Sequence, residues 1–138
     1  MNGLRIPNDE DVSPVDIEPG ADLSGADLSD ADLRDATLSN ANLSNADLTD
    51  ATLPNADLSN ADLSNGFLID ANLRGVDFSH ADLTDTNFFR ADITGAKLRE
   101  VDLSNAGLWG VQLESESVES QEIQYLERRG AHIKSSNQ

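Results

Sequence analysis

Residues 21–65 read ADLSGADLSDADLRDATLSNANLSNADLTDATLPNADLSNADLSN, nine pentads in phase. The pattern runs on through GFLID, ANLRG, VDFSH, ADLTD, TNFFR, ADITG, AKLRE, VDLSN, AGLWG and VQLES, so 19 pentads follow one another from Ala21 to Ser115 without an insertion. With the central apolar residue written i, position i is Leu sixteen times, Phe at Phe78 and Phe88, and Ile at Ile93. Position i−2 is Ala fourteen times, the exceptions being Gly66, Val76, Thr86, Val101 and Val111. A short fixed period of this kind decides architecture before any local propensity is weighed.

An α-helix turns about 100° per residue, so five residues advance about 500° and the leucine row would wander around the whole surface. Heptad and collagen periods do not fit either. In a strand, alternate side chains share a face, which points i−2 and i inward and i−1 outward. Positions i+1 and i+2 then turn a corner. Position i+1 is Ser or Thr in eleven pentads and i+2 is Asp, Asn or Gly in fifteen, all turn formers. A short face and a two-residue corner, repeated, give a four-sided coil of 20 residues stacked on the next at about 4.8 Å.

The A(D/N)Lxx repeat resembles that of the pentapeptide-repeat proteins over residues 21–115. The resemblance implies an all-β solenoid, a right-handed quadrilateral parallel β-helix of about five coils, with Leu or Phe stacked at its centre and Ala packed beside it. It implies function only weakly, since one fold carries many roles.

Outside the repeat, residues 1–20 are expected to be an extended, disordered lead, given Pro7, Pro14, Pro19 and the run Asp9, Glu10, Asp11. Ile17 is the residue available to cover the open first coil. Residues 116–138 form the third segment. Here ESVESQEIQYLERRG predicts a short amphipathic C-terminal α-helix, N-capped by Ser117 and stopped by Gly130. Arg128 and Arg129 sit late and suit the helix dipole. Val118, Ile123, Tyr125 and Leu126 fall within an arc of about 160° and are its expected contacts. Ala131, His132 and Ile133 return to the phase of the repeat, as one more strand or by coincidence.

Stacking by twenties maps the outer faces. One i+1 column reads Ser29, Thr49, Ile69, Phe89, Trp109, and Phe67 on the same side widens its apolar half. This stripe is either covered by the C-terminal helix folding back, the weightier expectation, or is a dimer or partner patch. An i−1 column reads Asp22, Asn42, Asp62, Asp82, Asp102. Carboxylates about 5 Å apart repel by about 0.8 kcal/mol even in water, so the column needs screening or diffuse cations.

The 138 residues carry 26 acidic and 9 basic side chains, a formal charge of −17, and no cysteine. That charge argues against direct nucleic-acid binding and against docking on anionic lipid. The absent cysteines remove disulfides, thiolate zinc sites and a cysteine nucleophile. With no apolar stretch long enough to span a membrane and no signal-like N-terminus, the expected location is cytoplasmic. Acidity beyond the motif, with two lysines against seven arginines, also suits a salt-adapted protein. Chemistry finds little purchase. His80 beside Ser79 and Asp77 occupies corner and face positions, without the converging donors of a triad. An aspartate column offers carboxylates along a line, where a metal needs them around a point. No cofactor and no catalytic role are expected.

Two functions follow. The first is a non-catalytic, rigid interaction scaffold working through the stripe Phe67, Ile69, Phe89, Trp109 or the C-terminal helix, its protein partner unidentified. The alternative comes from the resemblance, because some members of that family imitate duplex DNA and bind type II topoisomerases. The repeat carries 17 acids and 5 bases. Spread over about 23 Å, at ~4.8 Å per coil, that is about one net charge per ~1.9 Å, near the ~1.7 Å of B-DNA. So short a rod matches only ~7 base pairs at 3.4 Å per step, so mimicry calls for a homodimer through the C-terminal helix.

Overall fold

In the computed structural model, which describes residues 3–135, the pentads wind into stacked coils with a 20-residue register. Parallel bridges join Asp22 to Asn42, Asp27 to Asp47, Asp32 to Thr52 and Thr37 to Asp57, one for each of four faces. The series then repeats up the stack. Each face is so short that a single bridge at i−1 is all the strand it makes. The only longer strands among the described residues are β1 (Gln112–Glu114) and β2 (His132–Lys134), which pair in parallel with Gln112 opposite His132.

Three backbone bonds recur along the regular part of the stack. Leu43 N–H donates to Asp62 O at 2.7 Å, Asp62 N–H to Ala41 O at 2.9 Å, and Asn45 N–H to Ser64 O at 3.0 Å. A fourth closes the corner, as where Ala46 N–H donates to Leu43 O at 3.1 Å. The i+2 residue must be left-handed to make that corner: Asn45 has φ 61°, and its counterparts from Asp30 to Glu100 lie near it. Asn, Asp and Gly tolerate this region, which explains their dominance there. His80 holds φ of 61°, and Arg90 and Glu100 hold 58° and 57° without that tolerance, a strain on the order of 1 kcal/mol each.

Inside, the leucines at i from Leu28 to Leu73 are fully buried, and the alanines at i−2 are nearly so. Phe78 and Phe88 meet edge to face with centroids 6.0 Å apart. Thr86, the one buried polar side chain among the described residues, stands at an alanine position and donates from Oγ1 to Leu63 O at 2.8 Å. Gly66, its neighbour one coil below, makes room: a Cβ there would lie 2.9 Å from Leu63 O.

Both ends are closed, and here the structure corrects the sequence. The expected disordered lead is seated on the first coil. Arg5 and Asp32 exchange both backbone bonds in an antiparallel bridge, at 3.0 and 2.8 Å. Asn8 donates to Ser29 O at 2.9 Å, and Asp9 accepts from Asp27 N–H at 2.9 Å. Ser13 and Asp16 then box a 3-10 turn over Pro14–Asp16, and Ile17 is buried. These groups stand where a preceding coil would have supplied ladder partners.

The C-terminal helix is shorter than expected. α1 spans Ile123–Arg128 with Glu122, not Ser117, at its N-cap; 3-10 turns over Ser115–Ser117 and Ser120–Glu122 precede it. Glu122 accepts from Glu119 N–H at 3.2 Å, and Ser117 Oγ donates to Ala96 O at 3.1 Å, tying the expected cap residue to the coil below instead of to a helix. Residues 116–130 take the place of three pentads, and the chain re-enters the coil in register after Ala131, so the further strand is β2, His132–Lys134. No helix among the described residues is long and apolar enough to cross a membrane.

Candidate interaction surface

The i−1 side chain does more than face solvent. In pentad after pentad its Oδ1 accepts both the backbone N–H and the hydroxyl of the i+1 residue. Asp57 holds Ser59 at 3.0 and 2.6 Å, Asp62 holds Ser64 at 2.9 and 2.5 Å, and Asn42 holds Ser44 at 3.0 and 2.7 Å. An Asp or Asn at i−1 followed by Ser or Thr at i+1 therefore locks the corner. The hydroxyl of Ser24, Ser29, Ser79, Thr84 or Ser104, with the backbone N–H added, holds the carboxyls of Asp22, Asp27, Asp77, Asp82 and Asp102 below the usual carboxylate range. Asp77 and Ser79, beside His80, are one more such corner.

The acidic column is continuous only in part. Asp22, Asn42, Asp62 and Asp82 are joined by parallel bridges, but no bridge links Asp82 to Asp102. The coil slips there. Asp85 N–H donates to Asn105 O at 3.0 Å, where the repeat would place Ser104 O, and Asn105 is not left-handed. Val101 stands in the column of Ala61 and Ala81, and its extra methyls are only half-buried at the opened coil. Among the described residues, no group of three or more histidines and carboxylates converges as a metal site would.

Ile69, Phe89 and Trp109 do share one corner column. Asp50 N–H donates to Ile69 O, Asp70 N–H to Phe89 O and Arg90 N–H to Trp109 O, each at 2.9 Å. Phe89 and Trp109 stack with centroids 5.1 Å apart and planes 15° from parallel. Phe67 is 45 % exposed and Trp109 61 % exposed. Sequence reasoning passed over Arg90, whose guanidinium lies 5.1 Å from the Phe89 centroid and pairs with both Asp70 oxygens at 2.9 Å.

The expectation that the helix covers this stripe is not met. α1 sits on the end of the coil, where Leu126 is buried, Val118 packs against the core, Ile123 is half-buried and Tyr125 is 48 % exposed. Arg129, the residue after α1, shows why. Its Nη1 donates to Leu103 O at 2.9 Å and to Ser104 O at 2.6 Å, and its Nη2 donates to Ala106 O. Those carbonyls belong to the coil that no regular turn follows, and the slip at Asn105 frees Ser104 O for the guanidinium. Gly130 reaches the end of the stripe. It lies so close over Trp109 that a Cβ would come within 2.9 Å of Trp109 Cα.

The family model described as pentapeptide repeats matches residues 20–53, 55–88 and 68–105. No curated protein matches the chain. Among solved structures, a pentapeptide repeat protein from the Arabidopsis thaliana thylakoid lumen is 30% identical, with TM-score 0.74, over 81% of this chain and 79% of that one. The pentapeptide repeat protein Rfr23 of the cyanobacterium Cyanothece 51142 is 39% identical, with TM-score 0.46, over 61% and 60%. A third, from Nostoc Pcc 7120, is 30% identical, with TM-score 0.43, over 86% of each chain.

Proposed function

Because this chain belongs to the pentapeptide-repeat family, with the right-handed quadrilateral β-helix that membership implies, we propose that it is a non-catalytic scaffold that binds a protein partner through one corner of its rod. The observation that carries this is the column Ile69, Phe89, Trp109, broadened by Phe67, in which Trp109 and Phe67 are exposed and Ile69 and Phe89 are half-buried. The same column is hydroxyl-bearing lower down, at Ser29 and Thr49. Apolar side chains that both ends of the chain leave in water, on a surface otherwise polar, mark an interaction site. Trp109 and Arg90 are also residue types that dominate binding energy at interfaces. The backbone behind them is held by the ladder, so little ordering entropy is lost on binding.

The test is affinity capture with the intact protein and with a Phe67→Ser, Phe89→Ser, Trp109→Ser triple variant. A partner retained by the first and lost by the second supports the reading. A partner retained equally by both removes it.

A second reading is an acidic mimic of DNA directed at a type II topoisomerase. The charge of the repeat supports it, 17 acids against 5 bases over about five coils of ~4.8 Å each. A homodimer through α1 is the arrangement that would lengthen that rod. Inhibition of gyrase supercoiling by the intact protein, weakened by Tyr125→Glu at the exposed face of α1, is the expected result. The aromatic corner, which no duplex presents, places this reading second.

A further inference from the structure

Beside the aromatic column, and mostly below it, runs a column of carboxylates. Each i+1 residue is followed by one at i+2, and on this corner those residues are Asp30, Asp50, Asp70, Arg90 and Gly110. The ladder holds them in register, since Asp30 N–H donates to Thr49 O at 3.0 Å and Asp50 N–H to Ile69 O at 2.9 Å. No other corner stacks acid on acid at i+2: Asp35 lies below Asn55, and Asp85 lies between Asn65 and Asn105. The same corner thus carries aromatic side chains above and an acid stack beneath.

The fold does not require those charges. Asn45 has φ 61° and Asp50 φ 60°, so asparagine makes the same left-handed corner. Carboxylates at i−1 accept from their own corner, but Asp50 has no side-chain hydrogen bond or ion pair among the described residues. Asp30 accepts there only from Asn8 Nδ2, at 3.4 Å. Both are exposed. Arg90, the one base of the corner, lies over Phe89, is held by both oxygens of Asp70 and reaches Asp50 only through space. Asp30 and Asp50 therefore stand one coil apart with no cation between them, a repulsion that asparagine would remove.

We propose that the partner of this corner is a cationic, apolar protein segment: its apolar side chains lie on Phe67, Phe89 and Trp109, and its lysines or arginines reach down to Asp50 and Asp30. This rests on the partner reading above and adds the chemistry of the partner. The aromatic half is the docking surface, and the carboxylates beneath it select what occupies it. The segment approaches from the side of the rod, because Gly130 closes the corner over Trp109 and Asn8 closes it at Ser29. Between those two closures lie about four coil rises of ~4.8 Å, or about 19 Å, which an extended segment of about six residues spans at ~3.3 Å each. Arg90 marks the border between the halves, so a partner's cations meet carboxylates without a cation of their own only below Asp70. A second copy of this chain brings the same acids to the contact and is repelled, as is an anionic surface.

Selection from a random library of short peptides displayed on phage, panned on the intact chain, tests the proposal. The informative peptides are those lost on the Phe67→Ser, Phe89→Ser, Trp109→Ser triple variant, and they are expected to join apolar residues to lysines or arginines. Their affinity, read by fluorescence anisotropy, should fall about 3–10-fold on Asp30→Asn with Asp50→Asn. Added salt should weaken the parent's binding more than that variant's. Asp35→Asn with Asp85→Asn removes the same charge from two other corners and should change affinity less than about 2-fold. Asparagine is at home in the left-handed corner, so both variants should fold, and the urea midpoint of Asp30→Asn with Asp50→Asn should match or exceed the parent's. Column-dependent peptides with no excess of basic residues overturn this proposal and leave the partner reading standing, whereas a selection with no column-dependent peptide removes both. Equal weakening by the two pairs of substitutions would reduce the effect to net charge and overturn it. So would a lower urea midpoint for Asp30→Asn with Asp50→Asn, because those carboxylates would then belong to the fold.

Discussion

Asp62 Oδ1 accepts the backbone N–H of Ser64 at 2.9 Å and its hydroxyl at 2.5 Å, and Asn42, one coil below, holds Ser44 in the same way. The carboxylate at this position is thus an acceptor first and a charge second. Asp62→Asn is expected to leave stability within about 0.5 kcal/mol of the parent, whereas Asp62→Ala should cost about 1–2 kcal/mol by stranding two donors at a half-buried corner. Urea denaturation of the two variants decides it. Equal losses would mean that the corner does not depend on the acceptor.

The same bonds give the protein a definite acid limb. Hydrogen bonds from Thr84 and Ser79 hold Asp82 and Asp77 below the ordinary carboxylate range, so their stabilisation is present above the unfolded pKa and is lost as pH falls through the lower folded values. The urea midpoint should therefore fall only below about pH 4. Asp77→Asn with Asp82→Asn should flatten that fall while matching the parent at pH 7. A variant that tracks the parent down the whole limb would assign acid unfolding to other groups.

Periodicity exposed nearly all of the rod because a pentad is a complete local unit: Ala and Leu declare the inner face, and Asn, Asp and Gly declare the left-handed corner. The stripe was legible too, since fixed register makes residues 20 apart neighbours. What the repeat does not encode was not legible. The seating of Asn8 and Asp9 on the first coil satisfies ladder groups through single side chains, and no pattern marks them. The slip at Asn105 is silent for the same reason, since Asn is an ordinary corner residue and yet is not left-handed here. The failed expectation that α1 covers the stripe came from weighing only exposed apolar side chains. Unpaired carbonyls at the end of the stack had the stronger claim on the chain.

Trp109 and Phe88 separate surface from core. Phe88 is buried and touches Phe78, so Phe88→Ala should cost about 3–5 kcal/mol. Trp109→Ser removes a mostly exposed ring and one aromatic stack, a loss of about 1 kcal/mol. Thermal melts of the two variants check the ratio. If Trp109→Ser were as damaging as Phe88→Ala, the stripe would be structural and the partner reading would lose its basis.

Thr86 tests how tightly the interior is specified. Its hydroxyl donates to Leu63 O, which also accepts from Gly66 N–H at 2.9 Å. Thr86→Val keeps the shape and leaves that carbonyl one donor, so a loss of about 1 kcal/mol is expected. Gly66→Ala should be worse than Thr86→Val, because its Cβ has backbone oxygen at 2.9 Å and no flexible group to displace. The order of the two urea midpoints is the measurement, and the reverse order would mean that the coil yields at Leu63.

Arg129 closes the far end, and its replacement distinguishes charge from geometry. The guanidinium spans the carbonyls of Leu103, Ser104 and Ala106 and lies 5.6 Å from the Tyr125 centroid. A planar fork reaches three acceptors at once, and an ammonium on a flexible stem does not. Arg129→Lys and Arg129→Met should therefore both lose about 1–3 kcal/mol, with lysine recovering less than half. The damage should also be local. Amide hydrogen exchange should quicken first over residues 98–106 and 123–133 and leave residues 28–73 protected, because a solenoid unravels from an uncapped end. Full rescue by lysine would reduce Arg129 to a point charge. Uniform exchange along the rod would show that the stack opens as one unit and that its end cap does not set where it begins.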